Sequence, residues 1–185
     1  VRRHGDRALL KYARRLDGLP PGARTVLVPP EELEAGLRSL SPQFRRAARD
    51  ASQHIRDFAK LQLPAPVMVR LSGGQRAGYV VRPLDAMAAY VPSGRYPLPS
   101  TVLMTVIPAQ VAKVPRIFVA SPKPSPEILG VARLLGVDRV FRMGGAQAIA
   151  ALAFGTGTVP RVDRIAGPGN IYVTAAKKLL AGEVG

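Results

Sequence analysis

Residues 143–173, MGGAQAIAALAFGTGTVPRVDRIAGPGNIYV, restrict the possible fold more than any other stretch of the chain. They hold two glycine-broken turns, each leading from an apolar strand into a helix. The first, Gly144-Gly145, precedes Gln147 and an alanine-rich helical run; the second, Gly167-Pro168-Gly169, precedes Asn170, a strong helix N-cap residue. A helix N-terminus carries unpaired N–H donors and about half a positive charge, so two such turns side by side suit a phosphate-bearing ligand. The stretch reads as a nucleotide-side binding edge.

The same strand-then-helix unit recurs four times over residues 88–185. The expected strand cores are Ala88–Val91, Ile117–Ala120, Val140–Met143 and Val162–Ala166, each followed by Gly, Pro or Ser. Such alternation implies a parallel sheet with right-handed crossovers. In SPEILGVARLLG, Ser125 caps, Pro126 opens the helix, Ile128, Leu129, Ala132 and Leu135 form its buried stripe and Gly136 stops it. A helix over Thr101–Val114 contains Pro108, which removes a hydrogen bond and should kink it. The fold expected is α/β: a Rossmann-like open parallel sheet with flanking helices, preceded by a mainly helical segment with a β-hairpin.

That preceding segment, residues 1–87, divides into simple pieces. Ala8, Leu9, Tyr12 and Leu16 make one helical stripe before Gly18, and Arg24–Val28 reads as extended. Pro29-Pro30 opens a helix with Glu31, Glu32 and Glu34 in its first turn. Ser41-Pro42 opens another, with Phe44, Ala48, Ala51, Ile55 and Phe58 on one face and His54 beside it, a surface or boundary residue. Alternation of Val67, Val69 and Leu71, the turn Ser72-Gly73-Gly74, then Tyr79 and Val81 spell a hairpin that reads as scaffold. The division expected is 1–87, helices plus hairpin, and 88–185, an incomplete nucleotide-binding domain.

Composition narrows the function classes. The 185 residues contain no cysteine, which excludes disulfides and thiolate metal sites, and His4 and His54 lie too far apart for ligand spacing. No long apolar run suggests a membrane span, and VRRHGDRALL lacks the apolar centre of a signal peptide, so a soluble, cytoplasmic protein is expected. The net charge of +15 raises nucleic acid as a partner. Residues 1–87 hold 16 basic and 8 acidic side chains and residues 88–185 hold 11 and 4, so no half is the basic one. Aromatics make up only 5% and do not interleave with the basic residues, which argues against nucleic acid. The excess is expected to face an acidic partner chain or acidic residues outside this sequence.

In an open parallel sheet, ligands bind off the carboxyl ends of the strands. Those ends are residues 90–94, 121–124, 143–147 and 166–170. Neither GxGxxG nor GxxxxGK[ST] is present, so the residues by themselves stop at a nucleotide- or phosphate-binding α/β domain.

Longer motifs go further. YVPSG, PSTVLM, IPAQVA, GVDRVFRMGGAQAIAALAFGT, VPRVDRIAGPGNIYVTAAKK and the weaker VRRHGDRALL together resemble the histidinol dehydrogenase family over essentially the whole chain. Members of that family oxidise L-histidinol to L-histidine with two NAD in the last steps of histidine synthesis. The resemblance implies that NAD contacts fall on Tyr90 of YVPSG, Gln147 of GGAQAIA and Asn170 of GPGN. Each has a plainer alternative: a half-buried strand tyrosine, a solvated first-turn glutamine, a structural cap. The resemblance also implies that the zinc ligands, the Glu-His pair that moves protons and the residues gripping histidinol lie beyond Gly185. The chain would then be the NAD-binding part, inactive alone, completed by a homodimer partner or a missing C-terminal portion. It departs from the family's pattern at Ser93, Ala88, Lys113 and Tyr96, where glycines or, at Tyr96, an alanine-like residue are usual. A side chain at Ser93 narrows the approach open to a phosphate. An alternative outside enzymes is a non-catalytic nucleotide-binding module.

Overall fold

The structure, a computed structural model, describes residues 1–94, 96–137 and 139–185. In chain order the elements are α1 (Gly5–Leu16), α2 (Pro30–Ser39), α3 (Pro42–Leu61), β1 (Val67–Arg70), β2 (Arg76–Tyr79), β3 (Ala86–Tyr90), α4 (Pro99–Val111), β4 (Arg116–Ser121), α5 (Pro126–Leu134), β5 (Val140–Arg142), α6 (Gly145–Phe154), β6 (Arg164–Ala166) and α7 (Ile171–Leu179).

Strands β3 to β6 form one parallel sheet in the order β5-β4-β3-β6. Every residue of the central β3 is buried, which its AMAAY sequence accommodates because small and apolar side chains meet helices on both faces. Alternation along the strands divides the interior in two. Ala88, Tyr90, Phe118, Ala120 and Phe141 join Leu9 and Ala13 of α1, the apolar side of α6 and Val173 of α7. Ala89, Val91, Val119 and Val140 join Leu33 of α2 and the inner residues of α4 and α5. Helices from residues 1–87 thus contribute to both cores of a three-layer sandwich.

Several local expectations hold because they rest on nearest neighbours. Ser41 and Ser125 accept hydrogen bonds from the N–H groups of Phe44 and Ile128, capping α3 and α5. The hairpin pairs Val67 with Tyr79 and Arg70 with Arg76, and Gly73 and Gly74 take the positive φ angles of its turn. α4 runs through Pro108 to Val111. It ends in a Schellman arrangement in which Val114 N–H donates to Ala109 O at 3.0 Å and Lys113 sits at φ 60, a conformation that glycine would adopt more easily.

Other expectations are corrected. In α1 the buried line is Leu9 and Ala13, while Tyr12 and Leu16 are exposed, because α1 meets α6 along a line rotated by one residue. In α3, Ala48 and Ala59 are the buried residues and Phe58 is 64% exposed. Strand β3 begins at Ala86, ahead of the expected core at Ala88, so residue 87 is interior to a strand. β6 begins only at Arg164, because Val162 N–H donates to Leu152 O in α6 instead of to the sheet. The extended piece expected at 24–28 is present, and it adds antiparallel to the free edge of β5. There Val28 N–H donates to Val140 O (2.8 Å) and Arg142 N–H to Val26 O (2.6 Å).

Candidate functional site

Because all four strands run the same way, the turns after them gather at one edge of the sheet. β3 and β6 lie side by side although β4 and β5 are wound to the other side of β3, so the chain reverses direction of winding between them. A crevice opens at that reversal in folds of this topology. Here it is a cleft of about 780 Å³, within the ordinary range for small-molecule sites. Tyr90, Gln147 and Asn170, the three residues singled out in the sequence, all line it, together with Asp17, Ser93 and the exposed rings of Tyr12 and Tyr172.

Tyr90 ends β3 with its ring in the core, 3% exposed, so it is more deeply set than a half-buried strand tyrosine. Its hydroxyl accepts a hydrogen bond from Gly145 N–H at 3.0 Å. Burial pushes its phenol above the ordinary value; the bond from Gly145 opposes this, and the charge of Asp17 adds to it.

Gln147 is in the first turn of α6 and only 8% exposed, not solvated. Its Nε2 donates to Oδ2 of Asp17 at 3.1 Å, and the same oxygen accepts Gly144 N–H at 3.0 Å. Asp17, which caps the end of α1, is 5% exposed. Burial raises its pKa, while the bonds from Gly144 and Gln147 and the positive charge of Lys123 pull it down.

Asp17 is the residue that sequence reasoning missed. Its neighbours Arg15, Leu16 and Gly18 suggest only a helix end, and its partners stand 127 and 130 positions away. The one available signal was an acidic residue at the C-terminal end of a helix, where the dipole disfavours it.

Asn170 is exposed and caps α7, its Oδ1 accepting Val173 N–H at 3.1 Å. The turn before it is held from the far side, where Lys177 Nζ donates to Gly167 O at 2.8 Å. Burial lowers the Lys177 pKa. Gly167 stands at φ 122 with its α-carbon packed against the Tyr90 carbonyl, so a side chain here would be both strained and in collision.

The expectation of two free helix N-termini is therefore corrected in part, at α6. At α6 the N–H groups of Gly144 and Gly145 are bonded to Asp17 and Tyr90. At α7 the turn is exposed and free of acidic side chains. The cofactor-sized cleft, its apolar walls and the exposed α7 turn fit a nucleotide. They do not fit a metal: among the described residues no three His, Cys, Asp or Glu side chains come together, and the exposed His4 and His54 are not among the residues lining the cleft.

Helices on both faces of a parallel sheet, wound from a central strand in both directions with a cleft at the reversal, define a Rossmann-like α/β protein. The histidinol dehydrogenase family model matches residues 1–185. The chain belongs to that family, whose members are oxidoreductases. Histidinol dehydrogenase from Methylococcus capsulatus is 46% identical over all of this chain, and the one from Thermus thermophilus is 47% identical. The crystal structure of histidinol dehydrogenase from Elizabethkingia anophelis superposes with a TM-score of 0.89 at 33% identity, covering 96% of this chain and 42% of that one. The chain spans 44% of the length of the Methylococcus and Thermus relatives. Among the described residues, no helix is long and apolar enough to cross a membrane.

Proposed function

We propose that these 185 residues form the cofactor-binding part of a histidinol dehydrogenase, with NAD held in the cleft off β3, β6 and α6. The observation that carries this reading is the convergence of Tyr90, Gln147 and Asn170 on that one cleft from three separate elements. Tyr90 and Gln147 form the side of the cleft under α6, and Asn170 marks the exposed end of α7. NAD supplies the hydride acceptor for oxidation of the alcohol L-histidinol and then of the aldehyde. The protein's task at this cleft is to bind the cofactor and exclude water from one side of it.

The family's zinc ligands and proton-moving residues have no counterparts among these positions. In this reading the 185 residues bind NAD, do not turn over L-histidinol by themselves, and act with further residues of a longer chain or a homodimer partner in the cytoplasm. The division into a helical portion, 1–87, and a cofactor domain, 88–185, belongs to the same proposal, with β3 as the shared element. Calorimetric titration with NAD tests it. The expected result is binding that Gln147→Ala weakens while the domain stays folded; NAD affinity unchanged in that variant would remove Gln147 from the site.

A further inference from the structure

The reading above leaves one buried ionisable group without a task. Asp17 is the only acid among the described residues that line the cleft, and it reaches there from the far end of the sequence. A carboxylate only accepts hydrogen bonds, so the Gln147 amide must turn its NH2 towards Oδ2. That leaves Oε1 of Gln147 for a ligand. Oε1 rests against Gly145, where a β-carbon would come within 2.8 Å of it. The carboxylate also sits at the positive end of the α6 dipole and takes Gly144 N–H, while Gly145 N–H goes to Tyr90. The α6 side of the cleft thus presents an acceptor backed by a negative charge, beside a turn in which two N–H groups are already bonded within the protein.

We propose that Asp17 is a positioning residue that, through Gln147, makes the α6 side of the cleft an acceptor for an uncharged donor of the bound nucleotide and turns phosphate away from it. The donor class is a ribose hydroxyl or an amide or amino N–H. This rests on the reading that the cleft binds NAD.

The test compares NAD with inorganic pyrophosphate by calorimetry on the wild-type chain, Asp17→Asn, Gln147→Ala and the double variant. Asp17→Asn allows the Gln147 amide to flip and removes the charge. NAD should then bind about tenfold more weakly, and pyrophosphate about threefold more tightly. A merely structural defect would weaken both ligands. In the Gln147→Ala background the effect of Asp17→Asn on NAD should vanish, because one residue acts through the other. Losses that add, or an Asp17→Asn variant with wild-type NAD affinity, overturn the positioning role while leaving the NAD site intact if Gln147→Ala still weakens binding. A wild-type chain that binds no NAD overturns both. If Asp17→Asn does not fold, Gln147→Leu serves instead: it removes the acceptor and keeps the charge, so NAD should weaken with pyrophosphate affinity unchanged. Tighter pyrophosphate binding by Gln147→Leu, or NAD affinity equal to wild type, contradicts the proposal.

Discussion

The turn into α6 and the turn into α7 are both glycine-broken, both follow a short parallel strand, and both line one cleft. At α6 the N–H groups of Gly144 and Gly145 are taken by Asp17 and Tyr90, so a carboxylate of the protein itself sits at its positive end. At α7 the cap is an uncharged asparagine, the turn is exposed, and the Lys177 ammonium is bonded to Gly167 O. How open a helix N-terminus is to an anion therefore depends on whether the fold brings a carboxylate of its own to it, and so on residues far away in sequence.

The largest effect expected is at Gly167. Gly167→Ala forces a β-carbon into the Tyr90 carbonyl at a φ of 122, and should lower stability by about 3–5 kcal/mol in urea denaturation. A loss under 1 kcal/mol would mean that the α7 turn is not fixed against β3.

Asn170 separates the structural role of the α7 turn from its binding role. Asn170→Ala removes the cap and should cost about 1 kcal/mol. Asn170→Asp keeps a capping oxygen and adds a negative charge, so stability should hold while NAD affinity falls. Unchanged NAD affinity in the aspartate variant would show that phosphate does not approach α7.

The smallest effect concerns Asp17 and is read against pH. Its pKa is raised in the folded chain above 3.8, so the folded state binds that proton more tightly than the unfolded state does. Stability from this group is therefore lost as pH rises from 3.8 through the raised value. Asp17→Asn lacks this loss. In denaturant melts it should match or exceed wild type at neutral pH, with the difference shrinking as pH falls towards 3.8. A difference that grows on acidification contradicts the burial of the charge.

Much of this contrast could not be seen in the sequence, although most of the scaffold could. The strand-helix alternation, the caps at Ser41, Ser125 and Asn170 and the hairpin turn at 72–74 depend on a few adjacent residues, and the chain spells them out. The expected Leu9 is buried in α1, but Ala13 takes the place of Tyr12 and Leu16 beside it, and Phe58 is exposed, because a helix's buried face is set by what packs on it. The site was legible as a set of strand ends, and Tyr90, Gln147 and Asn170 do meet there. The deep burial of Tyr90 and Gln147, and the carboxylate beneath them, follow from α1 lying against α6, a contact that no local pattern announces.

A crystal structure of the chain with NAD addresses the contrast between the two turns most directly. The expected density places the pyrophosphate beside the backbone of residues 169–171 and an uncharged hydroxyl or N–H donor of the cofactor on Gln147 Oε1. Pyrophosphate seated on Gly144 and Gly145, or cofactor bound away from the cleft, would contradict it.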